Sequence, residues 1–270
     1  MRIVDISEEI NPDLWEPEKV KKQYVDHRKG ADKLGKSYLY FHSKNIWNKI
    51  WISVFNKARK ITYKDFPDEH GLSQMIYTLS THTGTHIDAP FHYGKRREGH
   101  LQRTISDLSL EYFYGSAVLL DFSDDKLSIN EENIRSKLNE MEYRIKKNDI
   151  VLINTGASKT TGTKKYFVDY KAIELSAVRY LTSEGVKVIG TDAFSFDPPF
   201  TKMIDEYKRT DDKSILWPAH FYGREKPYIQ IERLSNLDKI CKSHDFKVCC
   251  FPIKLTNADA AWCRAVALVE

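Results

Sequence analysis

Cysteine is scarce. Four occur in 270 residues, Cys241, Cys249, Cys250 and Cys263. None forms a Cys-x-x-Cys pair, and the neighbours Cys249 and Cys250 are poorly placed to bridge one another. That excludes a disulfide framework and a zinc-finger spacing, and leaves the thiols to pack as small apolar groups. Long apolar runs are missing too. No stretch approaches the roughly 18 residues of a membrane span, so no membrane partner is expected. An excess of one charge is also lacking: 42 basic residues face 38 acidic ones, a net +4. Nucleic-acid binders show a clustered basic excess, and the lysines here read as solvated surface. The opening MRIVDISEEINPDLW has no basic segment followed by an apolar core, so no secretory signal is expected, and a reducing cytoplasm is the expected compartment. Repeats, low-complexity tracts and long linkers are absent as well, which favours one domain over residues 1–270.

Apolar patterning supplies the elements. Residues 1–6 alternate apolar and polar as an opening strand does, and Met75–Leu79 reads as another. AVLLDF (117–122), IVLIN (150–154) and VKVIGTD (186–192) suit buried strands. Between them, INEENIRSKLNEMEYRI after Ser128 and KAIELSAVRYLTSEG closed by Gly185 read as helices. Strand alternating with helix is an α/β pattern. FKVCCFPIKL and RAVALV add strands with little helix between them, so the sheet is expected to be mixed: one α/β domain, a mixed central sheet flanked by helices. Residues 12–70 fit least well. Their lysines and aromatics, as in YLYFHSKNIWNKIWISVF, point to an arm or lid of helical and irregular segments.

Histidine, by contrast, is concentrated. Of nine in the chain, three fall in THTGTHIDAPFHYG, together with an aspartate: His82, His86, Asp88 and His92. All four positions are even, so an extended segment places them on one side. Gly84 and Pro90 argue against a helix. Two imidazoles and a carboxylate hold one hemisphere of a divalent metal and leave positions open for water and substrate. Thr85 is a candidate to fix an imidazole tautomer from outside.

HTGTHIDAPFH resembles the His-x-Gly-Thr-His-x-Asp-x-Pro-x-His signature of the cyclase family, which includes bacterial kynurenine formamidase and isatin hydrolase. A second family segment, a His followed twelve residues later by a Glu and then by Asn-Leu, is matched by His220, Glu232 and Asn236-Leu237 in AHFYGREKPYIQIERLSNL. RIVDISEEI and GTDAFSFDPP also look like family segments. The resemblance implies a swivelling β/β/α fold. It implies one or two divalent ions, zinc or manganese. His82, His86 and Asp88 would hold the first, and Asp88 would bridge to a second held by His220 and Glu232. His92 would be the acid–base residue. A homo-oligomer, dimer or tetramer, is implied too. Asp192, Ser195 and Asp197 follow a strand end, where α/β sites often lie. Asp192 and Ser195 are candidates to shape a substrate pocket, with a structural turn at Asp197-Pro198-Pro199 the alternative. Phe221, Arg224, Trp47 and Trp51 are further candidates to face the metal. Kynurenine formamidases of the family are shorter, the extra length here falling in residues 12–70 and in loops such as DEYKRTDDKSILWPAHFYG.

The chemistry expected is hydrolysis of a small molecule: a metal-activated water attacks an amide, lactam or ester carbonyl, and His92 moves the proton. Three rivals stand beside it. A cyclase or dehydratase would polarise the same carbonyl. A non-haem iron oxygenase would use His86, Asp88 and His220 as a facial triad, which leaves His82, His92 and Glu232 without a task. A binding protein with a relic site would hold no metal.

Overall fold

The computed structural model describes residues 1–43, 45–48, 50, 61–125 and 127–270. By its internal contacts the chain divides into two compact units, Met1–Glu18 with Ser80–Glu270, and Lys19–Leu79. The strands in chain order are β1 (Arg2–Asp5), β2 (Lys21–Val25), β3 (Gln74–Thr78), β4 (His86–Asp88), β5 (Arg96–Arg97), β6 (His100–Leu101) and β7 (Tyr114–Asp121). They continue with β8 (Ile150–Asn154), β9 (Val188–Thr191), β10 (Ile229–Glu232), β11 (Phe246–Cys249), β12 (Ala260–Trp262) and β13 (Val266–Val269).

In the larger unit, nine strands form one sheet in the order β1-β13-β11-β7-β8-β9-β10-β4-β12. The pairs β7–β8, β8–β9 and β9–β10 are parallel; the flanking pairs are antiparallel. The three apolar runs at 117–122, 150–154 and 186–192 thus become the parallel centre. Their side chains alternate between two cores. Val118, Leu120, Val151, Ile153 and Ile189 pack with Ile134 and Leu138 of the helix Glu131–Glu140, and with Ala177, Val178 and Leu181 of the helix Leu175–Ser183. Ala117, Leu119, Ile150 and Leu152 face the other way, into a core shared with Val4, Ile87, Ile231, Val248 and Ala267. Residues from both ends of the sheet meet in that second core, so the sheet curls around it. The chain after β1 closes the curl: Ser7 bridges to Leu234, and Ser235 N donates to Ile6 O at 2.9 Å.

One boundary differs from expectation. The helix read after Ser128 begins at Glu131, because Ile129 is held in a parallel bridge to Ile173 and Asn130 caps the next turn by accepting from Asn133 N at 3.0 Å. The strand read at Met75–Leu79 is β3, which pairs with β2.

Among its described residues the smaller unit includes that two-stranded ribbon, the helix His27–His42 and two 3₁₀ turns. Asp26 caps the helix by accepting from Lys29 N at 2.8 Å. The anticipated arm at 12–70 overlaps this unit. Trp47 is exposed, and Trp51 lies outside the described residues. Among the described residues, no helix is long and apolar enough to cross a membrane.

Candidate metal centre

The site grows from three neighbouring strands. β4 lies between β10 and β12, and the register sets His86 opposite Glu232 on one side and Trp262 on the other. Directly paired residues share a face of the sheet. His86 Nε2 accordingly lies 3.6 Å from Glu232 Oε2, and Asp88, two residues on, adds its carboxylate to the same side, with Oδ1 3.4 Å from His86 Nε2.

The strand itself covers only His86–Asp88, so the even spacing of the four residues is not produced by one extended segment. Gly84, at φ +67°, turns the preceding chain. That turn brings His82 Nδ1 to 3.1 Å from Asp88 Oδ1 and 3.2 Å from His86 Nε2. Beyond the strand, Pro90 opens the short helix Pro90–Tyr93, which carries the His92 ring to 4.4 Å from that of His82, centroid to centroid.

His220 arrives from the helix Pro218–Tyr222. Its Nε2 is 3.8 Å from Asp88 Oδ2 and 3.6 Å from Glu232 Oε1. Asp197 makes this orientation. It accepts from Ala219 N at 2.6 Å, from His220 N at 3.1 Å and from His220 Nδ1 at 2.5 Å. One carboxylate therefore caps the helix and aims the ring, which decides between the two sequence readings of Asp197: it is structural, and it acts on the site through His220. His86 is aimed in the same manner, by Nδ1 donating to Gly84 O at 2.8 Å. Thr85, by contrast, fixes no imidazole. Its hydroxyl donates to Arg233 O and accepts from Glu8 N, tying the chain start to the strand end.

Electrostatics follow from this crowding. Burial opposes the ionisation of Asp88, yet the imidazoles of His92, His86 and His82 hold its carboxyl well below the usual range. Burial would likewise favour neutral His82, but Asp88 and Asp259 outweigh it and raise the imidazole to about 10. For His86 burial prevails and lowers it. Burial, and then the charge of Asp88, push Glu232 up to about 8. Both Asp88 oxygens and Glu232 Oε1 are buried and accept no hydrogen bond. Buried carboxylate oxygens without partners are costly. Surrounded by imidazole nitrogens, they make a donor set that fits a divalent cation. The ligating atoms of His82, His86 and Asp88, and likewise of Asp88, His92 and His220, all lie within 4.8 Å of one another.

A cavity of about 300 Å³ opens on these donors. His82, His92, His220 and Glu232 line it, with Ser195 and an apolar wall that includes Tyr170, Phe194 and Trp217. Three other sequence candidates are placed elsewhere. Asp192 accepts from Thr155 N and Oγ1, both at 2.7 Å, and joins the ends of β8 and β9. Arg224 lies over the Phe221 ring at 3.6 Å and donates to Tyr93 O. None of these three lines the cavity.

Sequence reading passes over two residues here. Arg233 directly follows Glu232 with its backbone at φ 62°, and its buried guanidinium pairs with Glu8 and Glu16. Asp259 lies just before β12, with Oδ2 3.0 Å from His82 Nε2. Neither carries a local signal. Only the strand register brings them in.

The sequence model of the family described as "Putative cyclase" matches residues 4–198. A kynurenine formamidase of Geobacillus thermodenitrificans (strain NG80-2) is 31% identical over 188 residues, 70% of this chain and 76% of that protein. Among solved structures, an isatin hydrolase bound to the product analogue thioisatinate superposes with a TM-score of 0.71 at 17% identity, over 99% of this chain and 92% of that one. A structure titled as a potential metal-dependent hydrolase with cyclase activity gives 0.62 at 18% identity, over 100% and 98%.

Proposed function

The chain belongs to the cyclase family, and from that premise we propose that it is a metal-dependent hydrolase opening an amide, lactam or ester carbonyl of a small molecule, with a carbon–nitrogen bond of the kynurenine-formamidase kind foremost. One observation carries the reading: buried, unpartnered carboxylate oxygens of Asp88 and Glu232 face imidazole nitrogens at the floor of a cavity. His82, His86 and Asp88 would hold a first divalent ion, zinc or manganese, and His220 and Glu232, beside Asp88, would hold a second. A divalent ion there supplies Lewis-acid chemistry, polarising a carbonyl and lowering the pKa of water from about 15.7 toward about 7. His92, partly exposed in the cavity wall, takes a proton on one side of the reaction and returns it on the other. The apolar wall holds the substrate body and keeps bulk water from the reacting carbonyl.

The proposal also takes the enzyme to be a cytoplasmic homo-oligomer, a dimer or a tetramer. Family resemblance supports the assembly, and four free thiols support a reducing compartment. Sedimentation of the purified protein tests the assembly.

For the chemistry, the assay is hydrolysis of an N-aryl formamide and of a cyclic aryl amide, with and without oxygen, alongside metal analysis. His92→Ala is expected to keep its metal and lose about 10²–10⁴ in turnover. His86→Ala and Asp88→Ala are expected to lose both. Full turnover in His92→Ala refutes the proton-transfer role.

A further inference from the structure

Asp259 stands outside the residues that match the family, 4–198, and outside every role assigned above. Its position is nonetheless closely defined. Oδ1 accepts from Ala260 N at 2.9 Å and from Thr81 Oγ1 at 3.2 Å. Those contacts fix the carboxylate plane at the head of β12, the strand paired with β4. The other oxygen, Oδ2, is then delivered to two imidazoles at once: 3.0 Å from His82 Nε2 and 3.6 Å from His92 Nδ1.

His82 has two ring nitrogens, and only Nδ1 faces Asp88 and His86. For Nδ1 to offer a lone pair to a metal, the ring proton must sit on Nε2, and a carboxylate accepting from Nε2 selects that tautomer. His86 and His220 obtain the same selection from Gly84 O and Asp197. Asp259 completes the set for the third ring, but unlike the other two it also reaches His92.

We propose that Asp259 is a positioning residue that holds His82 in its metal-ligating orientation and, through the same oxygen, sets the ring of His92 beside it. The orientation of the proton-transfer residue is thereby tied to that of the first metal ligand. The proposal rests on the hydrolase reading for the roles of His82 and His92, and its test is read without substrate.

The experiment uses the full chain and zinc alone. Zinc affinity is measured by competition with a chromophoric chelator for the wild type, Asp259→Ala and Asp259→Asn, and the zinc-loaded proteins are examined by NMR for the ring N–H proton of His82. In the wild type that proton is expected as a downfield signal, protected by its carboxylate acceptor. Asp259→Ala is expected to lose the signal and bind zinc about 10–100-fold more weakly. Asp259→Asn keeps an acceptor oxygen without the charge, so it retains a weakened signal with an intermediate loss, and it serves alone should the alanine variant fail to fold. Asp259→Glu, docked through the same strand, is expected to recover part of the affinity. If Asp259→Asn, together with Asp259→Ala where that variant folds, binds zinc within twofold of the wild type or leaves the His82 signal unchanged, the proposal is overturned. A wild type that binds no zinc at all overturns the metal-dependent reading instead; the His82 ring N–H, sought then in the metal-free proteins, still decides whether Asp259 orients the ring.

Discussion

Replacing Arg233 by methionine tests how the site is braced. The guanidinium is 1% exposed, and its partners Glu8 and Glu16 are 5% and 10% exposed. It donates to Glu8 through Nε and Nη2, both at 2.8 Å, and to Glu16 through Nη1 at 3.0 Å and also Nη2. Tyr166 and Phe167 cover it, with ring centroids at 5.6 and 5.4 Å. Methionine fills similar space but leaves two carboxylates buried without a cation. Breaking a buried pair by removing one partner costs about 3–5 kcal/mol. At about 2–4 °C per kcal/mol for a chain of this size, Tm should fall by roughly 6–20 °C. The loss should also depend on pH. Burial already pushes the Glu8 carboxyl above its ordinary range, against the pull of Arg233. A carboxyl raised in the folded state gives stability that is complete below its unfolded pKa and is lost as pH rises through the folded one. Without Arg233 the rise is larger, so the variant loses more between pH 5 and pH 7.5, and its gap to the wild type narrows on acidification. Thermal melts by circular dichroism at both pH values, with chelator present to exclude metal linkage, measure both effects. A loss under about 1 kcal/mol, or a gap that widens in acid, refutes the account of the triad.

Three further outcomes are expected. Asp197→Asn puts an amide nitrogen where N–H donors converge; it should cost about 1.5–3 kcal/mol in chemical denaturation and weaken the second zinc equivalent more than the first, whereas equal effects on both would count against its action through His220. Zinc loading at pH 7 should expel protons, because His82, raised to about 10, and Glu232, raised to about 8, hold protons in the metal-free protein and must release them to ligate. Affinity then falls with acidity, and calorimetric heats change with the ionisation enthalpy of the buffer; heats independent of buffer contradict this. Gly84→Ala meets a left-handed backbone at φ +67° and the Ile10 side chain at 2.8 Å, so it should cost about 1–2 kcal/mol and weaken zinc binding by shifting the carbonyl that orients His86, an idea that an unaltered affinity would defeat.

The parallel centre of the sheet was legible because β7, β8 and β9 are buried on both faces, and such strands read as continuous apolar runs. Strands at the site gave no such signal. β4 is three residues long, β10 reads Ile-Gln-Ile-Glu, and β12 is Ala-Ala-Trp. Too short for a periodicity, they are defined by their partners. The ribbon β2–β3 was half legible: Met75–Leu79 alternates as a strand should, yet nothing local states which strand it will pair with. Helix starts shifted for a similar reason, since the bridge between Ile129 and Ile173 is a contact over 44 positions.

The clustering of the candidate donor residues was legible by type and spacing, though not for the reason spacing alone suggests. Three different local devices deliver the cluster: a glycine turn for His82, a strand for His86 and Asp88, a proline-started helix for His92. What makes them converge is register. Ile87, fully buried, points to the opposite core and pairs with Ile231 and Ala261, which lie in the same core. A slip of one residue would exchange the faces, moving Ile87 to the cavity floor and burying two donors among apolar side chains. The apolar residue between the candidate ligands His86 and Asp88 therefore decides where they point. The same logic explains why Asp259 and Arg233 escaped the sequence: each borders a strand that pairs with β4, Arg233 just after β10 and Asp259 just before β12, and neither position has meaning until that pairing is known.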